Sequence, residues 1–166
     1  MKGIKVVVHN QEETIRLGEL ITTNLTPQSF FALSGDLGAG KTTFTKGIGK
    51  ALGIKRVINS PTFTIMKNYH TNNYNGIDQL YHLDVYRLLD SSGDFELEEY
   101  FYLNGVTVVE WCDIIKDLIP DDYLKIEFKI NGDTSRIIEI TEFGNVDIIT
   151  NLIEQLKENN YEVICR

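Results

Sequence analysis

The stretch Gly35-Asp36-Leu37-Gly38-Ala39-Gly40-Lys41-Thr42 constrains this chain more than any other part of it. It fits G-x-x-x-x-G-K-[ST], and it lies where the physics of that pattern requires. The apolar run Phe30-Phe31-Ala32-Leu33 precedes it and reads as a buried strand. Lys41 to Leu52 follows, with Phe44, Ile48, Ala51 and Leu52 marking one helical face and Gly53 as the stop. Glycines let the backbone wrap closely round a phosphate, and a helix beginning at about Lys41 aims its first amides and the positive end of its dipole at the anion. Lys41 is then placed to reach the β- and γ-phosphates, the Thr42 hydroxyl to ligate Mg²⁺, and Thr43 to donate to an inner phosphate. The plainer reading is a glycine-rich turn that joins a strand to a helix and holds nothing.

A phosphate loop implies a nucleoside triphosphate, and chemistry on it needs an acid on a neighbouring strand for Mg²⁺ and a group to position the nucleophile. Two runs end in an acid. Val106-Thr107-Val108-Val109-Glu110 is the more apolar, and Leu80-Tyr81-His82-Leu83-Asp84 is the more polar. The spacing assigns Glu110 to Mg²⁺, directly or through water, and Asp84 to water activation or to the outer coordination sphere of the metal. Each is otherwise a surface carboxylate at a strand end.

Composition removes several alternatives. At 166 residues, 42% hydrophobic and 24% charged, the chain suits one globular domain over residues 1–166 rather than a disordered or fibrous protein. Its net charge of −8 argues against holding nucleic acid on its own basic surface, so any polynucleotide link is expected to run through a partner. The longest apolar runs are three or four residues, against the roughly 18 of a membrane span. No membrane association is expected. The N-terminal residues lack the apolar core of a signal peptide, which makes the cytoplasm the default location. Cys112 and Cys165 show no metal-ligand spacing and are expected as free thiols.

Periodicity supplies the remaining elements. A strand is expected over 4–8, then a helix capped near Asn10 with Ile15, Leu17, Leu20, Ile21 and Leu25 on its apolar face. Strands are expected over 62–69 and 79–86, separated by a polar loop with an Asn75-Gly76 turn signal. Helical character over 94–102, a strand over 105–110, a helical piece near 113–119, strands over 123–130 and 136–141 and a last helix from about 145 to 158 complete the pattern. The sum is an α/β fold of the P-loop NTPase type, in three layers, with a mixed but largely parallel sheet flanked by helices.

Four segments together resemble the bacterial TsaE family, also called YjeE or YdiB. They are Gly35 to Thr43, Ser60-Pro61-Thr62-Phe63-Thr64, His82-Leu83-Asp84-Val85-Tyr86-Arg87-Leu88, and Val109-Glu110-Trp111, in the family's order and spacing from about residue 11 to 141. The resemblance implies the ATPase of the machinery that makes N6-threonylcarbamoyladenosine at tRNA position 37. In that role it would join the TsaB–TsaD heterodimer, meet tRNA only through that complex, and hydrolyse ATP to reset the TsaD transferase. It also implies phosphate contacts on Gly38, Ala39, Gly40, Lys41, Thr42 and Thr43, Mg²⁺ on Thr42 and Glu110, and a catalytic or ATP-contacting carboxylate at Asp84. Trp111, Arg136 and Gln11 resemble the family's nucleotide-bordering positions, and Ser60-Pro61-Thr62 its switch-like loop. Read without the family, Trp111 is a core residue, Arg136 a solvated strand charge and Ser60-Pro61 an ordinary turn.

Other residues have ordinary readings beside sharper ones. His82 is expected either to polarise Asp84 or simply to be packed and hydrogen-bonded. Arg87 pairs with the acidic stretch from Asp94 to Glu99 or contacts phosphate, and that acidic stretch is a solvated face or a docking surface. Lys46, Lys50, Lys55 and Arg56 are a solvated basic cluster or a contact for a partner or tRNA. Rival functions are a GTPase, which would need an absent N-K-x-D segment, a small-molecule kinase, which would need an arginine-rich lid, and a module whose nucleotide state sets partner affinity without turnover.

Overall fold

The local signals of the sequence settle most of the elements. In a computed structural model that describes residues 2–61, 66–85, 104–110 and 119–165, the chain forms β1 (Gly3–Val8), α1 (Gln11–Thr22), β2 (Phe30–Gly35) and α2 (Lys41–Ala51). It continues through β3 (Met66–Tyr74), β4 (Ile77–Asp84), β5 (Gly105–Glu110), β6 (Tyr123–Ile130), β7 (Arg136–Phe143), α3 (Ile149–Glu158) and β8 (Glu162–Cys165). The expected helix over 94–102 and the helical piece near 113–119 except Ile119, together with Thr62, Phe63, Thr64, Arg87, Trp111 and Cys112, lie outside the described residues. No described helix is long and apolar enough to cross a membrane.

Helix α1 begins where an asparagine can satisfy its exposed amides: the Asn10 side chain accepts from the Glu13 N–H at 2.9 Å, and the Glu13 carboxylate in turn accepts from the His9 N–H at 3.0 Å. It ends at Thr22, so Leu25 is buried in the turn beyond it rather than on the helix. Helix α2 ends as expected, with Gly53 at φ +78° and the Ile54 N–H donating to the Gly49 carbonyl. Between 66 and 84 the expected polar loop is instead strand. β3 continues to Tyr74, and Asn75-Gly76 alone turns the chain into β4, both residues at positive φ. Helix α3 starts at Ile149, later than the sequence suggests, because the Glu142 carboxylate on β7 accepts from the Ile148 and Ile149 N–H groups. A cap contributed from another element leaves no local sequence signal. β8, absent from the elements expected from periodicity, pairs with β1 at the sheet edge.

The eight strands form one sheet in the order β3-β4-β5-β2-β6-β7-β1-β8. Only the central pairings β4–β5, β5–β2 and β2–β6 are parallel, whereas β3–β4, β6–β7, β7–β1 and β1–β8 are antiparallel. The expectation of a largely parallel sheet is therefore corrected to a parallel centre with antiparallel flanks. The reason is connectivity: hairpin-length joins, such as Asn75-Gly76 between β3 and β4 and residues 131–135 between β6 and β7, leave no room for the crossover a parallel pair needs.

All three described helices pack on one face. Leu17, Leu20 and Ile21 of α1, Phe44 and Ile48 of α2, and Leu152 and Leu156 of α3 are buried with Ile4, Val6, Phe31, Leu33, Val106, Ile126 and Ile138 of the sheet. The opposite face buries Phe30, Ala32, Tyr81, Leu83 and Val109 in a separate cluster. Among the described residues no helix covers that face, and the helices expected over 94–102 and near 113–119 lie outside them but for Ile119. Helices α1 and α2 meet through glycine: a Cβ on Gly47 would stand 2.0 Å from the Ile15 carbonyl oxygen, and one on Gly18 would stand 2.4 Å from that of Phe44. Only hydrogen side chains allow this approach. Phe44 then fits edge-on against both Phe31 and Phe128, at 6.0 and 5.7 Å between ring centroids, which ties the start of α2 to the sheet.

Candidate active site

Strand polarity gathers the candidate site residues at one end of the sheet. Strands β2, β4, β5 and β6 run the same way, so the loop after β2 and the last residues of β4 and β5 lie at a common edge. β7 runs antiparallel to β6 and β1 antiparallel to β7, so the start of β7 and the residues after β1 arrive at that edge too. Arg136 begins β7 and Gln11 follows β1. The carboxyl ends of parallel strands are where open α/β sheets hold ligands.

The loop from Gly35 to Gly40 turns through three glycines at positive φ, +147°, +81° and +114° for Gly35, Gly38 and Gly40. Side chains rarely adopt these angles, so the tight wrap demands glycine. Gly40 caps α2, whose first-turn amides have no acceptor within the helix. Leu37 at the loop tip is 92% exposed, while Lys41 is only 6% exposed, and its Nζ donates to the Gly35 carbonyl at 2.5 Å and the Asp36 carbonyl at 3.1 Å. Burial lowers the Lys41 pKa from its ordinary value; the carboxylates of Glu110, Asp84 and Asp36 pull the other way.

Two hollows meet at this loop. One, of about 230 Å³, is lined by Lys41, Thr42, Thr43, Ser60, Asp84 and Glu110 along with loop residues. The other, of about 300 Å³, is lined by Asn10, Gln11, Thr14, Asp133, Thr134 and Arg136. Gln11, Gly38, Gly40 and Thr43 border both. The structure therefore brings Gln11, Gly38, Gly40, Lys41, Thr42, Thr43, Asp84, Glu110 and Arg136 together. Ala39 is buried within the loop and lines the second hollow. Trp111 is not among the described residues.

Asp84 and Glu110 are register partners on β4 and β5, each 3% exposed, and Glu110 is also in register with Leu33 of β2. All three side chains therefore stand on the face that carries α1 and α2. The Thr42 hydroxyl and two carboxylates are hard oxygen donors on one hollow, a set that fits Mg²⁺. Among the described residues no group of three or more His, Cys, Asp and Glu converges as a metal cage. A site of two carboxylates and a hydroxyl suits a cation that takes its remaining ligands from water and phosphate.

Arg136 reaches over the loop rather than into solvent. It donates to the carbonyls of Ser135 at 2.8 Å and Gly132 at 3.1 Å, and at 3.3 Å to that of Gly38. His82 is bonded to Glu110, not to Asp84: Nε2 lies 2.5 Å from Glu110 Oε2. Asn10, Asp133 and Thr134 also border the hollow, although no sequence motif marks them as site residues. Only strand polarity brings them there. Within the basic cluster, Lys50 pairs with Glu19 at 2.9 Å and Arg56 lies 5.2 Å over the Tyr69 ring, so both have partners within the chain. Cys165 is an exposed, free thiol.

The family model for Threonylcarbamoyl adenosine biosynthesis protein TsaE matches residues 8–138, a span holding the loop, both carboxylates and Arg136. The chain belongs to the TsaE family. The tRNA threonylcarbamoyladenosine biosynthesis protein TsaE of Bacillus subtilis is 47% identical over 145 residues, covering 87% of this chain and 89% of that protein. Its Treponema pallidum counterpart is 36% identical over 139 residues, covering 82% of this chain and 99% of its own. Among solved structures, Bacillus subtilis YdiB superposes with a TM-score of 0.75 at 38% identity, covering 96% of this chain and 98% of that one. TsaE proteins serve tRNA threonylcarbamoyladenosine biosynthesis, and the family match spans strands β2 to β6 of the present chain in full.

Proposed function

We propose that this TsaE-family chain is a Mg²⁺-dependent P-loop ATPase that hydrolyses ATP in support of a TsaB–TsaD complex modifying tRNA at A37. The observation that carries the reading is the pair Asp84 and Glu110, buried in register at neighbouring strand ends and lining one hollow with Lys41 and Thr42 of the glycine loop. A phosphate loop alone binds; a phosphate loop with two buried acids beside it is equipped to hydrolyse.

In this reading the loop from Gly38 to Thr43 wraps the β- and γ-phosphates, and the Lys41 ammonium offsets their charge. The hollow bordered by Gln11, Asn10, Thr14, Asp133, Thr134 and Arg136 receives the nucleoside. Thr42 and Glu110 would hold Mg²⁺, which would supply charge neutralisation at the phosphates. Asp84 orients and accepts a proton from the attacking water or steadies the metal's waters. Burial of both acids strengthens these effects by lowering the local dielectric.

The test is Mg²⁺-dependent ATP hydrolysis by the purified chain, alone and with TsaB–TsaD and tRNA, with Lys41→Ala as the blank. Turnover that the partners stimulate and the blank abolishes supports the reading. ATP binding with turnover indifferent to those partners would leave a P-loop protein with a different task.

A further inference from the structure

His82 is fully buried on β4, within a strand whose last residue is Asp84. Its register partner on the parallel strand β5 is Val108, so it lies diagonally from Glu110, on the same face. Its Nε2 is 2.5 Å from Glu110 Oε2, and Nδ1 has no hydrogen-bond partner among the described residues. A glutamate that ligates a cation does so as the ionised carboxylate, which only accepts, so in that state the imidazole donates through its Nε2–H.

A glutamate at the end of a strand has three rotatable side-chain torsions, and burying its carboxylate is costly unless it is hydrogen-bonded. The His82 bond meets both requirements. It pins Oε2 against the sheet, which leaves Oε1 as the oxygen to present to the hollow that Thr42, Ser60 and Asp84 also line. A partner that fixes a ligating group in one orientation raises metal affinity without touching the metal.

We propose that His82 is a positioning residue for the cation site: through Nε2 it holds Glu110 in the rotamer that ligates the divalent cation of the bound nucleotide. The proposal rests on the nucleotide reading given above. This role accounts for a histidine at a fully buried position of β4 with only one of its ring nitrogens bonded among the described residues. Asp84 lies two residues further on the same face.

The variants are His82→Leu, which fills similar volume without a donor, and His82→Gln, whose amide donor reaches close to the Nε2 position. Mn²⁺ binding to each in the presence of a non-hydrolysable ATP analogue, followed by electron paramagnetic resonance, reads the cation site directly. Binding of the same analogue in excess EDTA reads the nucleotide site alone. The expected result for His82→Leu is a roughly ten- to hundred-fold loss of Mn²⁺ affinity with the metal-free nucleotide affinity unchanged, and substantial recovery in His82→Gln. The Mg²⁺ concentration for half-maximal hydrolysis shifts in the same order. Wild-type Mn²⁺ affinity in His82→Leu, equal losses in the two variants, or a parallel loss of metal-free nucleotide affinity would overturn the proposal. If His82→Leu does not fold, His82→Asn, whose shorter amide cannot span to Glu110, replaces it against His82→Gln with the same expectations. A wild-type chain that binds no nucleotide with or without metal would overturn the ATPase reading itself, an outcome separate from any difference among the variants.

Discussion

Asp84 and Glu110 face each other across β4 and β5, in register and at the last residue of each strand, with both carboxylates buried beside Lys41. Like charges this close to one cation-binding hollow invite a division of labour, because one carboxylate can bind metal while its neighbour handles a proton.

That division predicts unequal variants. Glu110→Ala is expected to lose most of the Mg²⁺-dependent part of ATP affinity, whereas Asp84→Ala retains it and loses turnover by a factor of roughly 10² or more. Calorimetric titration with and without Mg²⁺, together with single-turnover hydrolysis, measures both. The opposite pattern would exchange the two roles.

Lys41 links the site to pH. Burial disfavours its charged form, so its pKa falls below 10.5 despite the neighbouring carboxylates. The unfolded chain holds this proton up to its ordinary pKa, so folding carries a cost below the depressed value that is relieved as pH rises towards 10.5. Binding follows the opposite course, since a triphosphate needs the ammonium. ATP affinity of the wild type is expected to fall with rising pH before the ordinary lysine value of 10.5 is reached, and the affinity of Lys41→Ala, already weak, to stay flat. A wild-type affinity that holds level up to and through 10.5 would remove Lys41 from the phosphates.

The contact of α1 with α2 tests the frame under the loop. Gly47→Ala gains about 1 kcal/mol of helix propensity yet drives a methyl group to within 2.0 Å of the Ile15 carbonyl oxygen. Separating the helices costs about 1–3 kcal/mol or more in overpacking. At about 2–4 °C per kcal/mol for a chain of this size, a lower melting temperature by circular dichroism is expected, with weaker ATP binding as α2 shifts. An unchanged or higher melting temperature would mean that the helices part easily.

Tyr161 donates its hydroxyl to the Glu13 carbonyl at 2.6 Å, and burial, aided by Glu13, pushes its pKa up to about 12. Its stabilising contribution is therefore complete below pH 10 and lost as pH climbs from about 10 to 12, where the unfolded tyrosine has already ionised. Tyr161→Phe is expected to be slightly less stable at neutral pH and to lose less on going to alkaline pH. Melting curves of the two proteins between about pH 8 and about pH 12 make the comparison, and parallel curves would contradict it.

Much of the site is legible in the sequence alone, and so is much of the element order. The glycine loop, its lysine and threonines, the caps at Asn10 and Gly53 and the Asn75-Gly76 turn all depend on φ/ψ preferences and hydrogen bonds within a few residues, and such preferences are written locally. The two carboxylates are legible for the same reason, because an apolar run ending in an acid is also a local pattern. What the tertiary structure decided is pairing: the antiparallel flanks of the sheet, the edge strand β8, the capping of α3 by Glu142, the arrival of Arg136 over Gly38, and the bond of His82 to Glu110 rather than Asp84. Each joins residues whose meeting follows from strand order and polarity. Strand order minimises the free energy of the whole core at once, so no window of sequence contains it.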